Sequence, residues 1–336
     1  MDAITVQILR NKIASLVDEM HFHFYRSGYS TIIRESRDFS CVILDREGGL
    51  VVAPPMFFHA PVYRHLVGHI LALYGGDHDG CICDGDVFVS NHPYEGGLPH
   101  VSDMAFVSPV FSGGAIVAFA GSIAHKADLG GTVPGSTSAN ATEMYQEGLL
   151  IPPIKIWDAG RPLPDIERLI LANSRQSALV RGDMQAQIAV TRLGAVRVKE
   201  LCERFGSDTV CDALAAILKG AAAEMGAAIA KLPHGTATAE GFLDSDGVTV
   251  DKPIKLAVTV TIGDRIATFD FSASDPQARG PVNLRPSMVE ACVFYCLIAC
   301  LGPKLAFNDG MRDAVRLIFA PRTITNAQPP APVSNY

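Results

Sequence analysis

A chain of 336 residues with 48% hydrophobic and 19% charged side chains has ample apolar surface for one large domain or two ordinary ones, which excludes general disorder. A formal net charge of −7 and the lack of any basic stripe exclude nucleic acid as an expected partner, because phosphate binding needs concentrated Lys and Arg. The first residues mix Asp2, Arg10, Lys12 and Asp18 with apolar side chains and form no continuous signal core. The longest apolar run, 291–301, is too short to span a bilayer and is stopped by Gly302-Pro303, so no membrane partner is expected.

Residues 4–26 read as an opening helix: Ile4, Ile8, Ile13, Leu16, Met20 and Phe24 recur at helical spacing, and Gly28 ends it. From about 31 to 130 the pattern changes to short apolar runs broken by Gly, Pro and Asp. Cys41-Val42-Ile43-Leu44, Leu50-Val51-Val52, Val87-Phe88-Val89 and Ala115-Ile116-Val117-Ala118-Phe119 are strand signals, while 62–74 has helical spacing. Asp77-His78-Asp79 reads as a solvated turn. Helices are expected at 165–173, 184–205 and 209–231, closed by Pro233-His234-Gly235. Strands return at 236–242, 254–262 and 265–271, with Gly263-Asp264 as a hairpin turn between the last two.

A helix follows over about 286–301, carrying three of the eight cysteines. Cys292, Cys296 and Cys300 fall on one face and are expected to be small buried hydrophobes. The only tight cysteine cluster, Cys81 and Cys83, lacks the second pair of a structural zinc site, so a reduced, soluble cytoplasmic protein fits best. Residues 315–320 read as a last strand before Gln328-Pro329-Pro330-Ala331-Pro332, where nothing in the pattern caps a fold. A truncated chain is the favoured reading of that ending, over a split gene or a docking tail. The fold class is α+β, with mixed and antiparallel sheets around a central helical block. Its expected divisions are a β-rich region 1–163, a helical region 164–232 and a second α+β region 233–336.

The chemistry concentrates where strand 87–90 enters the loop Asn91-His92-Pro93-Tyr94-Glu95-Gly96-Gly97-Leu98-Pro99, which emits His100 and Asp103. A second strand, 116–122, delivers His125-Lys126-Ala127-Asp128. Two imidazoles and a carboxylate from the ends of adjacent strands suit zinc, manganese or iron, and three protein ligands leave room for water that the metal acidifies. Spacing leaves open the plainer reading of hydrogen-bonded loop histidines. His21 and His23 lie on different helix faces. His59, His65 and His69 surround a helix, where His65 and His69 read as polar surface or a core hydrogen bond. Asp38, between Arg34, Arg37 and an apolar strand, reads equally as an ion-pair partner or a site residue. No Walker-type or G-x-G-x-x-G loop is present, nor a G-x-S-x-G elbow.

These residues resemble the hydantoinase B/oxoprolinase family. The likeness runs through R-E-S-R-D-F-S at 34–40, the loop 90–103, H-K-A-D-L-G-G at 125–131 and E-G-L-L-I-P-P at 147–153. It continues through G-D-M-Q-A-Q at 182–187, D-F-S-A-S-D-P-Q-A-R-G-P-V-N at 270–283 and the closing N-A-Q-P-P-A at 326–331. The resemblance implies His100, Asp103 and His125 as ligands of a divalent metal (Zn, Mn or Fe). It adds an upstream aspartate, best matched by Asp38 with Asp45 as fallback, and Asp128 as the group orienting His125. Asn91 and Tyr94 are expected to steady developing charge.

The resemblance also implies a hetero-oligomer with a hydantoinase A-like ATPase subunit, which binds ATP and magnesium. That subunit phosphorylates the oxygen of a lactam, imide or ketone enol. Here the activated carbon of a small cyclic amide is then attacked by metal-bound water. The rival readings are the large subunit of an ATP-dependent ketone carboxylase and an inactive scaffold of the same fold. Two departures stand out: family members usually continue beyond the proline-rich segment, and His92 replaces the expected aspartate of N-D-P-Y, opening the prospect of an extra ligand or altered substrate contacts.

Overall fold

A computed structural model describes residues 2–53, 57–76, 80–302, 305 and 307–335, so the expected turn at 77–79 and the stop at Pro303 lie outside the described residues. The chain opens with helix α1 (Ala3–Ser27), started by the Asp2 carboxylate accepting from Thr5 N. A π-helical turn (Ile32–Ser36) leads into strand β1 (Phe39–Asp45), and a 3-10 turn (Phe57–His59) into α2 (Ala60–Tyr74). Strands β2 (Val87–Ser90), β3 (Asp103–Ser112) and β4 (Ala115–His125) follow, then β5 (Ile154–Asp158) and β6 (Arg161–Pro162). The helices α3 (Pro164–Ala172), α4 (Ser177–Phe205) and α5 (Ser207–Ile229) come next. The last part holds β7 (Gly235–Leu243), β8 (Ile254–Ile262), β9 (Ala267–Asp270), α6 (Pro286–Leu301) and β10 (Val315–Ile318).

Among the described residues the strands form two sheets. The first is antiparallel with order β1-β4-β3-β2-β5-β6; the second runs β10-β9-β8-β7, with β10 and β9 parallel. This is the expected α+β class. Strands β1 to β4 are buried on both faces, which is why they read as continuous apolar runs and not as alternations. Cys41 and Ile43 face α1, α4 and α5, while Val42, Leu44, Phe119 and Ile123 pack on Leu66, Val67 and Ile70 of α2. Gly121 lets β4 lie against the Tyr63 ring, since a Cβ there would stand 2.7 Å from Cε1. That contact fixes Tyr63 beside the functional site. No helix among the described residues is long and apolar enough to cross a membrane.

Two local readings are corrected. Leu50-Val51-Val52 is not a strand: Asp45 and Gly49 close a turn, and Leu50 makes one isolated bridge to Leu44 before the chain bends away. Cys292, Cys296 and Cys300 are exposed, because α6 is apolar all round and buries Val289, Val293, Phe294 and Leu297 instead. Though no pattern in the sequence caps the fold at 328–332, Ala327, Ala331, Val333 and Ser334 are all buried, and residues 327–335 are tied to the fold by hydrogen bonds.

One buried polar tie joins the helical layer to the site. Asp183 of α4 accepts from Tyr29 N at 2.7 Å and Ser30 N at 3.1 Å, fixing the turn that precedes β1. Asp183→Ala strands both amides, so it is expected to lower stability by about 2–4 kcal/mol in urea unfolding; a loss within experimental error of zero would show that water replaces the carboxylate.

Candidate metal centre

Three strand ends build the site. Asp103 begins β3 and stands directly opposite His125, the last residue of β4, in the antiparallel register. On the other side of β4, Phe39 of β1 pairs with Ala124, and His125 N donates to the Asp38 carbonyl at 3.2 Å. One row of the sheet therefore carries Asp38, His125 and Asp103. His100 joins from the turn ahead of β3, where Asp103 N donates to its carbonyl at 3.2 Å. Lys126 N donates to Ser102 O at 2.8 Å and locks the two strand ends together.

The side chains converge. Asp103 Oδ1 lies 3.1 Å from His100 Nε2 and 3.2 Å from His125 Nδ1, and the two nitrogens are themselves 3.2 Å apart. Neither oxygen of this fully buried carboxylate has a hydrogen-bond partner of proper geometry among the described residues. Buried carboxylates without such partners are costly, and two ring nitrogens facing each other at this distance share at most one hydrogen between them. A common cation resolves both problems. Metal–ligand bonds of about 2.0–2.2 Å set neighbouring donors roughly 2.9–3.4 Å apart, which is the spacing present here. The donor set of two imidazoles and a carboxylate thus fits a divalent ion at His100, Asp103 and His125.

The electrostatics agree with a site built for positive charge. Burial pushes the Asp103 carboxyl up, but the His100 charge and the imidazoles of His100, His125 and His59 outweigh it and hold it well below its usual value. Burial pushes His100 down, and Asp103 more than reverses this. Asp38 stands at the open side, its side chain 40% exposed, with carboxylate oxygens 3.9 Å from His125 Nδ1 and from His59 Nε2. Its contacts are with these imidazoles; no ion pair to Arg34 or Arg37 forms among the described residues.

Sequence reasoning missed three neighbours. His59 Nε2 lies 3.3 Å from Asp103 Oδ2, and its Nδ1 is 3.3 Å from Ser40 Oγ, which is 2.8 Å from the Tyr63 hydroxyl. The signal was weak: His59 sits in a turn ahead of α2, with no spacing relation to the other ligands. Lys126 is wholly buried, donates to Gln187 Oε1, and is lowered by burial to about 8 against the opposing charges of Asp183 and Asp103. Glu147 is buried too, and burial outweighs its amide partners at Ser334 and Val333 to raise its carboxyl to about 7. The quoted motifs contain Lys126 and Glu147, but pattern alone assigns them no task.

Other expected site residues are engaged elsewhere. Asp128 does not orient His125: its carboxylate accepts from Gly130 N, Gly135 N and Arg175, and so organises the loop after β4. Asn91 has no free group for a substrate. Its amide nitrogen donates to Val101 O and Leu149 O, and its oxygen accepts from Ile151 N. The Tyr94 hydroxyl donates to Ala331 O, with its ring under Arg285. Asp45 caps the turn at Glu47 and Gly49. His21 accepts from Cys41 N, and His65 and His69 lie on the exposed side of α2.

Fold and site together define a class. The chain belongs to the hydantoinase B/oxoprolinase family, whose model matches residues 2–336. It is 32% identical over 349 residues to a protein of Pseudomonas sp. (strain NS671) named as the B-type component of a D-/L-hydantoinase, covering 99% of this chain and 58% of that relative. It superposes on the ATP-dependent caprolactamase of Pseudomonas jessenii with a TM-score of 0.88 at 27% identity, covering all of this chain and 57% of that one. An acetone carboxylase in its nucleotide-free structure shares the fold, with a TM-score of 0.91 at 18% identity over 100% of this chain and 46% of that one. The chain therefore spans little more than half the length of the first of these relatives.

His92 acts within the loop and not as a ligand. Its Nδ1 accepts from Tyr94 N at 3.2 Å and Glu95 N at 3.0 Å, the bonds an aspartate would take in an Asx-type turn. Burial lowers its pKa; Glu95 opposes this, while Arg285 and His69 add to it. A His held below its ordinary 6.5 stabilises the fold fully above that value, and the contribution is lost as pH falls through the lower folded pKa. His92→Asp keeps both acceptors without that titration. Its melting temperature relative to the native chain is expected to rise as pH falls below about 6.5; a difference constant with pH refutes the assignment.

Proposed function

We propose that this chain is the metal-carrying B-type subunit of an ATP-dependent cyclic-amide hydrolase of the hydantoinase/5-oxoprolinase kind. The observation that carries the reading is the convergence of His100 Nε2, His125 Nδ1 and Asp103 Oδ1 on one point, around a buried carboxylate with no well-directed hydrogen-bond partner among the described residues. Asp38 completes the donor set from the open side. A divalent ion (Zn, Mn or Fe) bound there supplies Lewis-acid chemistry, polarising a carbonyl and acidifying water.

An unstrained lactam is a poor electrophile. In this reading a hydantoinase A-like partner, holding ATP and magnesium, phosphorylates the amide oxygen and turns it into a leaving group. The ring C–N bond breaks, with the nitrogen protonated as it departs and phosphate released from the resulting acyl phosphate by a second water, once a first water adds to the activated carbon at this chain. Asp38, partly exposed beside His125, is the group positioned to take the proton from that water. Asp103 keeps its full negative charge in the interior, because His100, His125 and His59 surround it. The absence of a nucleotide loop in the sequence and the subunit names of the relatives support a hetero-oligomer. All eight cysteines are unpaired, which supports a reducing, cytoplasmic setting.

Metal analysis and turnover test this reading together. The purified chain is expected to hold close to one equivalent of Zn, Mn or Fe, and Asp103→Ala and His125→Ala to lose it. Paired with its ATPase subunit, it is expected to open 5-oxoproline or a hydantoin ring without bicarbonate, and each variant to reduce that rate by about 10³-fold or more. Turnover that appears only with a ketone and bicarbonate assigns the chain to carboxylation instead; native metal content in His125→Ala removes the centre altogether.

A further inference from the structure

Residues 327–335 run back over the strand ends that carry the site and are gripped along their length. Arg285 donates to Ala327 O, the Tyr94 hydroxyl to Ala331 O at 2.5 Å, and Asn283 Nδ2 to Pro332 O at 3.0 Å. Asn335 N donates to Pro281 O at 2.8 Å, and Ser334 Oγ to Ser138 O at 3.2 Å. The strongest hold is Glu147. Its Oε1 accepts from both Val333 N and Ser334 N at 2.7 Å, and the residue is wholly buried.

This segment ends on a metal-directed side chain. The Ser334 carbonyl lies 3.2 Å from His100 Nδ1. A carbonyl only accepts, so Nδ1 carries the hydrogen and Nε2 presents its lone pair toward Asp103 Oδ1 and His125. Ligating histidines are commonly oriented in this way by an acceptor on the second nitrogen. Here that acceptor is a backbone carbonyl 234 positions away in the chain, and its position depends on the two amides that Glu147 holds.

We propose that Glu147 is a positioning residue for the centre: by clamping the amides of Val333 and Ser334 it seats the Ser334 carbonyl on His100 Nδ1 and so fixes the tautomer and ring angle of that ligand. The inference rests on the metal reading above. It differs from a purely structural role for Glu147, which predicts a less stable protein whose metal affinity, once folded, is unchanged.

The test uses the whole chain, Co(II) as the probe ion, and two variants. Glu147→Ala removes the acceptor, and Co(II) is expected to bind about 10–100-fold more weakly with shifted ligand-field absorption bands. Glu147→Gln retains an amide oxygen for the two N–H groups and is expected to stay within about threefold of the native affinity. In a second readout, long-range ¹H–¹⁵N spectra of the Zn(II)-loaded native chain are expected to show His100 with its hydrogen on Nδ1, and Glu147→Ala to give a mixture. Three results overturn the proposal: native affinity and spectrum in Glu147→Ala, equal losses in both variants, or an Nε2–H tautomer in the native chain. The last needs no variant, so a failure of Glu147→Ala to fold leaves the test intact. Should the native chain bind neither ion, the metal reading itself fails, whereas native affinity and spectra in Glu147→Ala overturn the positioning role alone.

Discussion

An ionised carboxylate taken out of water costs several kcal/mol unless opposite charge comes with it, and Asp103 is 1% exposed at the first residue of a central strand. Nearly everything around it serves that burial. His100 and His125 meet one oxygen, His59 meets the other, and the Lys126 ammonium lies buried close by. Deleting one imidazole leaves the others, but none of them forms a well-directed hydrogen bond to Asp103. The pocket is therefore electrostatically satisfied and geometrically unsatisfied. A hydrogen-bonded core would be directed as well as neutral, whereas an ion-binding pocket keeps its lone pairs aimed at a shared centre.

The register of the first sheet makes the pocket inevitable once the strands pair. Side chains on neighbouring strands meet only if their residues fall opposite each other, and a slip of one residue would turn His125 to the other face. Both faces of β3 and β4 are buried under different helices, so the slip would also misplace Val107, Phe119 and Ile123. Packing thus enforces the geometry of the cluster at no separate cost. The same logic accounts for Gly121, where close packing of Tyr63 on β4 holds the Ser40–His59 arm behind Asp103.

Strong periodicity was legible in the sequence: the helices near 4–26, 184–205 and 209–231 and most strands of the first sheet lie where spacing placed them. So was the pairing of His100, Asp103 and His125, because Asp103 begins one strand after the Gly- and Pro-rich loop that carries His100, and His125 ends the next. What depends on the third dimension was not legible. Asp128 has the right distance in sequence to support His125, yet the loop glycines and Arg175 claim its oxygens first. Asn91 and Tyr94 look like loop donors, but buried backbone carbonyls must be satisfied, and these side chains do it. Cys292, Cys296 and Cys300 were misjudged because a helix apolar on every side gives no clue to which face is covered. The seating of residues 327–335 was illegible for the opposite reason: the bonds that hold them run to distant residues, and local pattern carries no trace of them.

The flanks of the centre differ in exposure. His100 is closed over by residues 331–335, with its ring 10% exposed, while Asp38 is 40% exposed and His125 19%. The cluster is therefore most open to solvent at Asp38, at the seam between the π-helical turn Ile32–Ser36 and β1. The turn ends on Arg37 in a left-handed conformation, φ 55°, with its guanidinium stacked over Tyr25 and not paired with Asp38. Left-handed backbone at a non-glycine residue carries strain that the surrounding structure must hold. Here it turns the adjacent arginine aside from the exposed carboxylate of the site, leaving Asp38 free to face the centre. A direct Arg37–Asp38 ion pair would neutralise that carboxylate, so the turn keeps its charge on the open side of an otherwise buried cluster.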